Sequence, residues 1–153
     1  MKIMDILVKD AVILDIRATE KRDVLEELSS SLAAAEPGLD RNRLRDVLVE
    51  RESLQSTGIG DGVAIPHGKM AGLPRLVASF ARSRQGVDFE SIDGQLTQLF
   101  FLLVVPEHSG GQHLKALARI SRFLRDAAFR KALVESETVD DVIRAIVEED
   151  AKF

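Results

Sequence analysis

His67 and His113 are the residues of this sequence whose type and setting could do chemistry. His67 lies in "STGIGDGVAIPHGKM", Ser56 to Met70, a stretch that holds four of the ten glycines, one proline and one of only three histidines. Imidazole is a nucleophile near neutral pH and can hold a phosphoryl group covalently on one ring nitrogen. Reversible use of that kind requires an exposed ring, a fixed orientation, and cations or N–H groups for the anion. Pro66 restrains the backbone before the ring. Gly68 removes side-chain bulk after it, leaving room for a partner to approach, and Gly58, Gly60 and Gly62 permit a tight loop whose amides could face an anion. The glycine spacing matches neither the phosphate-binding loop of nucleotide hydrolases nor the dinucleotide fingerprint.

His113 follows a long apolar strand and opens a helix. With Leu117, Ile120 and Leu124 it recurs at helical spacing, which puts it on the inward stripe, and in the first turn it stands near the positive end of the helix dipole. Two loops at one edge of a sheet could bring His67 and His113 together. Histidines in apolar surroundings are ordinarily core or turn residues, and Arg51 reads by default as a cation at the C-terminus of its helix. His108 reads as an exposed loop residue. Glu107 would serve as a base only if aimed at the other histidines. Taken alone, these residues amount to a candidate histidine-centred anion site.

Five helical patterns and a few short strands must position them. Thr19 is placed to cap a helix with Val24, Leu25, Leu28 and Leu32 on one face, ended by Glu36-Pro37-Gly38. Asp40 caps a second helix that buries Leu44, Val47 and Leu48. "RESLQSTGIGDG" reads as loop, and "VAIPH" as a short strand with Pro66 at an edge or end. "LPRLVASFARS" is a strand, and "VDFESIDGQL" alternates and holds an Asp93-Gly94 turn. "LFFLLVV" is apolar on both faces and therefore central, ending at Pro106. Ser109 and Gln112 have capping-box spacing for a helix to about Asp126. A short helix follows over "DAAFRKALVES", and Thr138 and Asp141 box a last one. The expected fold is α/β, a single-domain sandwich over residues 1–153 with a small mixed sheet flanked by helices on both faces.

The chain has 153 residues, 45% of them hydrophobic and 30% charged, a net charge of −4 and no cysteine. That excludes disulfides, thiolate metal sites and cysteine nucleophiles, and favours neither nucleic acid nor an anionic membrane as partner. The N-terminus lacks the apolar core of a secretory signal, and "LFFLLVV" is too short to span a bilayer, so a cytoplasmic location is expected.

The chain resembles the enzyme IIA proteins of the bacterial phosphoenolpyruvate-dependent phosphotransferase system, in the fructose/mannitol superfamily and nearest its nitrogen-regulatory branch. The likeness runs through "ILVKDAVILDIRATEKRDVLEELSSSL", "RESLQSTGIGDGVAIPHGKM", "VDFESIDGQLTQLFFLLVVPE" and "HLKALARIS". It implies a phosphotransferase component with a covalent phosphohistidine: His67 phosphorylated at Nε2, His113 supporting the phosphohistidine, and Arg51 stabilising the phosphoryl group. The implied donor is a histidine phosphocarrier protein. The implied recipients are regulated targets such as transporters or kinases or, in the transport branch, a IIB domain. No cofactor or metal is implied. Two other readings compete: a hydrolase metal site built from His67, His113 and Glu107, which lacks the usual ligand spacing, and an interaction module that is never phosphorylated.

Overall fold

The computed structural model describes Met1–Phe153. Five α-helices and five strands form it: α1 (Lys21–Ala35), α2 (Arg41–Leu54), β1 (Gly58–Gly60), β2 (Val63–Ala64), β3 (His67–Met70), β4 (Val77–Val87), β5 (Thr97–Pro106), α3 (Gln112–Arg125), α4 (Ala127–Glu135) and α5 (Val139–Lys152). Two short 3₁₀ turns, Ile3–Asp5 and Lys9–Ala11, precede them.

The unbroken apolar run makes β5 the spine of a mixed sheet. It pairs antiparallel with β4 on one side and parallel with β2 and β3 on the other. Its side chains alternate between two cores, as the pleat of a strand dictates. Leu99, Phe101, Leu103 and Val105 pack with α3, α4 and α5. Phe100, Leu102 and Val104 pack with α1 and α2. Helices therefore cover both faces, and a residue buried in either core contributes about 1.5–3 kcal/mol by leaving water. The outer edge of β4 is met by the N-terminal segment, where Val8 N–H donates to the Ala78 carbonyl at 2.8 Å and Ile13 N–H to Phe80 at 2.9 Å.

Several local expectations hold. Asp40 accepts hydrogen bonds from the Asn42 and Arg43 amides, and Thr138 and Asp141 form a reciprocal capping box. Others need correction. The cap of α1 is Glu20, not Thr19, and it makes no side-chain cap bond. Ser109 and Gln112 do not box α3: Gln112 is its first residue, Gly111 its cap, and the Ser109 hydroxyl turns towards His113 instead. The stretch read as loop before β2 is partly strand. Asp61 and Gly62, with φ of 55° and 76°, make a two-residue turn that folds Gly58–Gly60 back on Val63–Ala64, and positive φ at both positions suits the twist of a hairpin. β4 spans Val77–Val87 rather than Leu73–Ser83. Beyond Val87, Asp88–Leu96 is not strand: Phe89 is buried, Glu90 has φ 55°, and Ser91 and Asp93 reach across to the hairpin amides.

Candidate functional site

β2 and β3 lie along β5 in one unbroken register, Val63 opposite Leu99 and His67 opposite Leu103. The line is interrupted at Ile65-Pro66 because proline has no N–H for the ladder. The Pro66 carbonyl still accepts from Leu103 N–H at 3.0 Å, so the strand resumes at His67 without a slip. At the break the Ile65 carbonyl meets His67, with Nδ1 at 2.8 Å. A carbonyl only accepts, so Nδ1 carries the proton and Nε2 of the neutral ring keeps its lone pair. Burial holds the pKa of His67 below its ordinary value, and Arg51 and His113 push it down further; the Ile65 carbonyl and Glu52 act in the opposite direction. The ring is thus biased to its neutral, nucleophilic form.

His113, in the first turn of α3, is oriented in the same way. Its Nδ1 donates to the Gly110 carbonyl at 2.9 Å, with the Ser109 hydroxyl 3.4 Å from the same nitrogen. Arg51, in the last turn of α2, spends one guanidinium nitrogen on the Gln55 carbonyl at 2.9 Å, which fixes the fork and leaves its other N–H groups free. These three side chains, contributed by β3, α3 and α2, line one cleft of about 570 Å³. Leu103 and Val105 of β5 and Leu117 of α3 contribute to its apolar wall. Lys69 and Glu50 add one charge of each sign. At the same cleft Leu54 and Leu114 are 79% and 62% exposed.

One expectation about the glycines fails here, and another gains a second reason. Gly58, Gly60 and Gly62 do not line the cleft. The Gly58 amide is taken by the Ser56 hydroxyl, that of Gly60 by the Ser91 hydroxyl and that of Asp61 by the Asp93 carboxylate, so these amides cradle no anion. Gly68 serves a packing need. A Cβ there would stand 2.5 Å from Cγ1 of Val47, so the missing side chain lets α2 lie directly on β3.

Glu107 and His108 are exposed and lie outside the cleft. No group of three His, Asp or Glu residues is arranged to hold a metal ion. Lys69 and Glu52 were not anticipated as contributors. Glu52 is buried and paired with Lys21 at 3.0 Å. Its signal was present in the sequence: Leu44, Leu48 and Glu52 recur at i, i+4 and i+8, so the carboxylate must fall on the buried face of α2, where it needs partners.

A family model described as "Phosphoenolpyruvate-dependent sugar phosphotransferase system, EIIA 2" matches residues 5–149. The chain is 44% identical over 133 residues to a nitrogen regulatory protein of Bradyrhizobium diazoefficiens, covering 87% of this chain and 86% of that one. It is 40% identical over 150 residues to the fructose-specific EIIABC component of Bacillus subtilis, covering 98% of this chain but only 24% of that longer protein. Among solved structures, the nitrogen regulatory protein IIA-Ntr of Neisseria meningitidis superposes with a TM-score of 0.86 at 33% identity, covering 93% of this chain and 97% of that one. The mannitol IIA of Escherichia coli shares the fold, with a TM-score of 0.74 at 19% identity over 90% of this chain and 96% of that one. No helix is long and apolar enough to cross a membrane. By its sequence over residues 5–149 and by its fold, the chain belongs to the EIIA type 2 family of the phosphoenolpyruvate-dependent phosphotransferase system.

Proposed function

We propose that the protein is a phosphohistidine carrier that accepts a phosphoryl group from a histidine phosphocarrier protein on Nε2 of His67 and acts mainly in nitrogen regulation. The observation that carries this reading is the bond from Nδ1 of His67 to the Ile65 carbonyl, which commits the lone pair to Nε2. In the transfer, that lone pair forms the new P–N bond as the donor's P–N bond breaks. The broken bond's electron pair returns to the donor imidazole. His67 loses no proton; its ring becomes an N-phosphorylated imidazolium whose Nδ1–H stays on Ile65. The free N–H groups of Arg51 and, when protonated, Nε2–H of His113 meet the phosphoryl oxygens. Catalysis is then positioning and electrostatics, as phosphoryl transfer generally is. Leu54 and Leu114 form the apolar contact for the donor.

The 44% identity to a nitrogen regulatory protein supports the regulatory role. A transport role has its own support in the 40% identity to a fructose-specific EIIABC component. In that reading the phosphoryl group passes to a IIB domain, the kind of pair found in the complex of Escherichia coli IIA mannitol with phosphorylated IIB mannitol. Intact mass after mixing with phosphoenolpyruvate, enzyme I and a phosphocarrier tests the carrier reading. One phosphoryl group is expected on the wild type and none on His67→Ala. An unlabelled wild type, or a labelled variant, overturns it. Adding candidate IIB domains to the labelled protein separates the two roles.

A further inference from the structure

Glu52 follows Arg51 on the buried side of α2 and is 7% exposed. Its carboxylate is met from two other elements. Lys21, the first residue of α1, pairs with it at 3.0 Å. Thr57 donates its backbone N–H to both carboxylate oxygens at 3.1 Å, and its hydroxyl donates as well. The chain of contacts continues inward. The Thr57 carbonyl accepts from Ile65 N–H at 3.1 Å, and the Ile65 carbonyl accepts from Nδ1 of His67 at 2.8 Å. Thr57 and Ile65 are each 4% exposed, so little water is available to substitute for any link.

This linkage matters because of where the strand is broken. Pro66 has no N–H, so the segment bearing the Ile65 carbonyl is held across the break by the Ile65–Thr57 bond on one side and the Pro66–Leu103 bond on the other. Thr57 in turn is fixed to α2 by Glu52. We propose that Glu52 is the positioning residue of the phosphoryl-acceptor site: through Thr57 and Ile65 it holds the carbonyl that selects the Nδ1–H form of His67, and through its own helix it holds Arg51 at the same cleft. The inference deepens the carrier reading and rests on it for its kinetic consequence; the part concerning the His67 tautomer stands on geometry alone. The influence of Glu52 on the His67 pKa has the sign expected of a nearby carboxylate.

His113 supplies an internal control. Its Nδ1 is held by Gly110, outside this chain of contacts, so general loosening of the fold disturbs both rings while loss of the Glu52 linkage disturbs His67 alone. The experiment labels the histidine ring nitrogens with ¹⁵N and reads both tautomers by NMR at pH 8, in wild type, Glu52→Ala and Glu52→Gln. Phosphoryl acceptance from the phosphocarrier is timed on the same samples. In Glu52→Ala, His67 is expected to populate both tautomers while His113 stays unchanged, and acceptance to slow by about tenfold or more, the scale of a buried hydrogen bond to a charged group. Glu52→Gln keeps an oxygen for the Thr57 amide and is expected to recover the tautomer and most of the rate. Should Glu52→Ala fail to fold, Thr57→Val, which lacks only the hydroxyl, carries the test with an expected slowing of about threefold. An unchanged His67 tautomer in the folded variant, or equal disturbance of both histidines, overturns the proposal. A wild type that accepts no phosphoryl group defeats the carrier reading instead, and the tautomer measurement still decides the role of Glu52.

Discussion

Replacing Gly68 with alanine tests how α2 is held against the site. The added Cβ would stand 2.5 Å from Cγ1 of Val47 and 3.7 Å from Cδ2 of Leu48. Real Cβ atoms do not approach carbon that closely, so helix and strand must separate or Val47 must leave its rotamer. A β-branched side chain in a helix has essentially one favoured rotamer, so it yields poorly. Gly68 is not among the residues with positive φ, which leaves the backbone indifferent and makes the cost steric. Overpacking of this kind costs about 1–3 kcal/mol. For a chain of this length, each kcal/mol lowers Tm by about 2–4 °C. Val47 and Arg51 are four residues apart on α2 and both line the cleft, so the same displacement moves the guanidinium away from His67. Urea and thermal unfolding of wild type, Gly68→Ala, Val47→Ala and the double variant give the coupling energy directly. The double variant is expected to be at least about 1 kcal/mol more stable than the sum of the single changes predicts. If Gly68 instead serves only to admit a partner, Gly68→Ala will be as stable as wild type and Val47→Ala will rescue nothing; that result refutes the packing argument.

Three further outcomes follow from the same geometry. Arg51→Lys keeps the charge but loses the planar fork, and phosphoryl acceptance should slow by about 10- to 100-fold with the fold unchanged by circular dichroism. Leu114→Asp puts a carboxylate on the exposed apolar rim, and its KM for the phosphocarrier should rise by about tenfold or more while kcat holds, as measured by initial rates over a range of donor concentrations. For pH, the folded pKa of His67 lies below the ordinary value of 6.5. The nucleophilic form of His67 should therefore be fully available above pH 6.5, and acceptance should fall on the acid side only as pH drops through that lowered value. The sign for stability agrees: the unfolded state binds the proton more readily, so the His67 contribution is complete above pH 6.5 and lost as pH falls through the folded pKa. Urea midpoints of His67→Gln should accordingly depend less on pH in that window.

What the sequence disclosed depended on the range of the interaction responsible. β5 was legible because seven consecutive apolar residues need cover on both faces. α2 and α5 were legible because their caps, Asp40 and Thr138, bind within three residues of themselves. The meeting of His67, His113 and Arg51 was legible only as two loops at a sheet edge and, for Arg51, through family resemblance. The parallel alignment of β3 on β5 and the seating of α2 on Gly68 are what put all three residues on one cleft. The misread glycine loop failed for a related reason: the amides of Gly60 and Asp61 are claimed by Ser91 and Asp93, 31 and 32 residues onward, which no local pattern reports. The packing need at Gly68 was hidden in the same way, since the atom that requires a glycine belongs to another element. Glu52 was written in the helical period and overlooked because a carboxylate beside an arginine reads as surface.

The central claim is that Nε2 of His67 is the atom phosphorylated. Long-range ¹H–¹⁵N NMR of the ¹⁵N-histidine protein, recorded under alkaline conditions after transfer from the phosphocarrier, identifies both the residue and the nitrogen. The account predicts a single phosphohistidine, at Nε2 of His67. A phosphoryl group on Nδ1 of His67, or on His108 or His113, would contradict it.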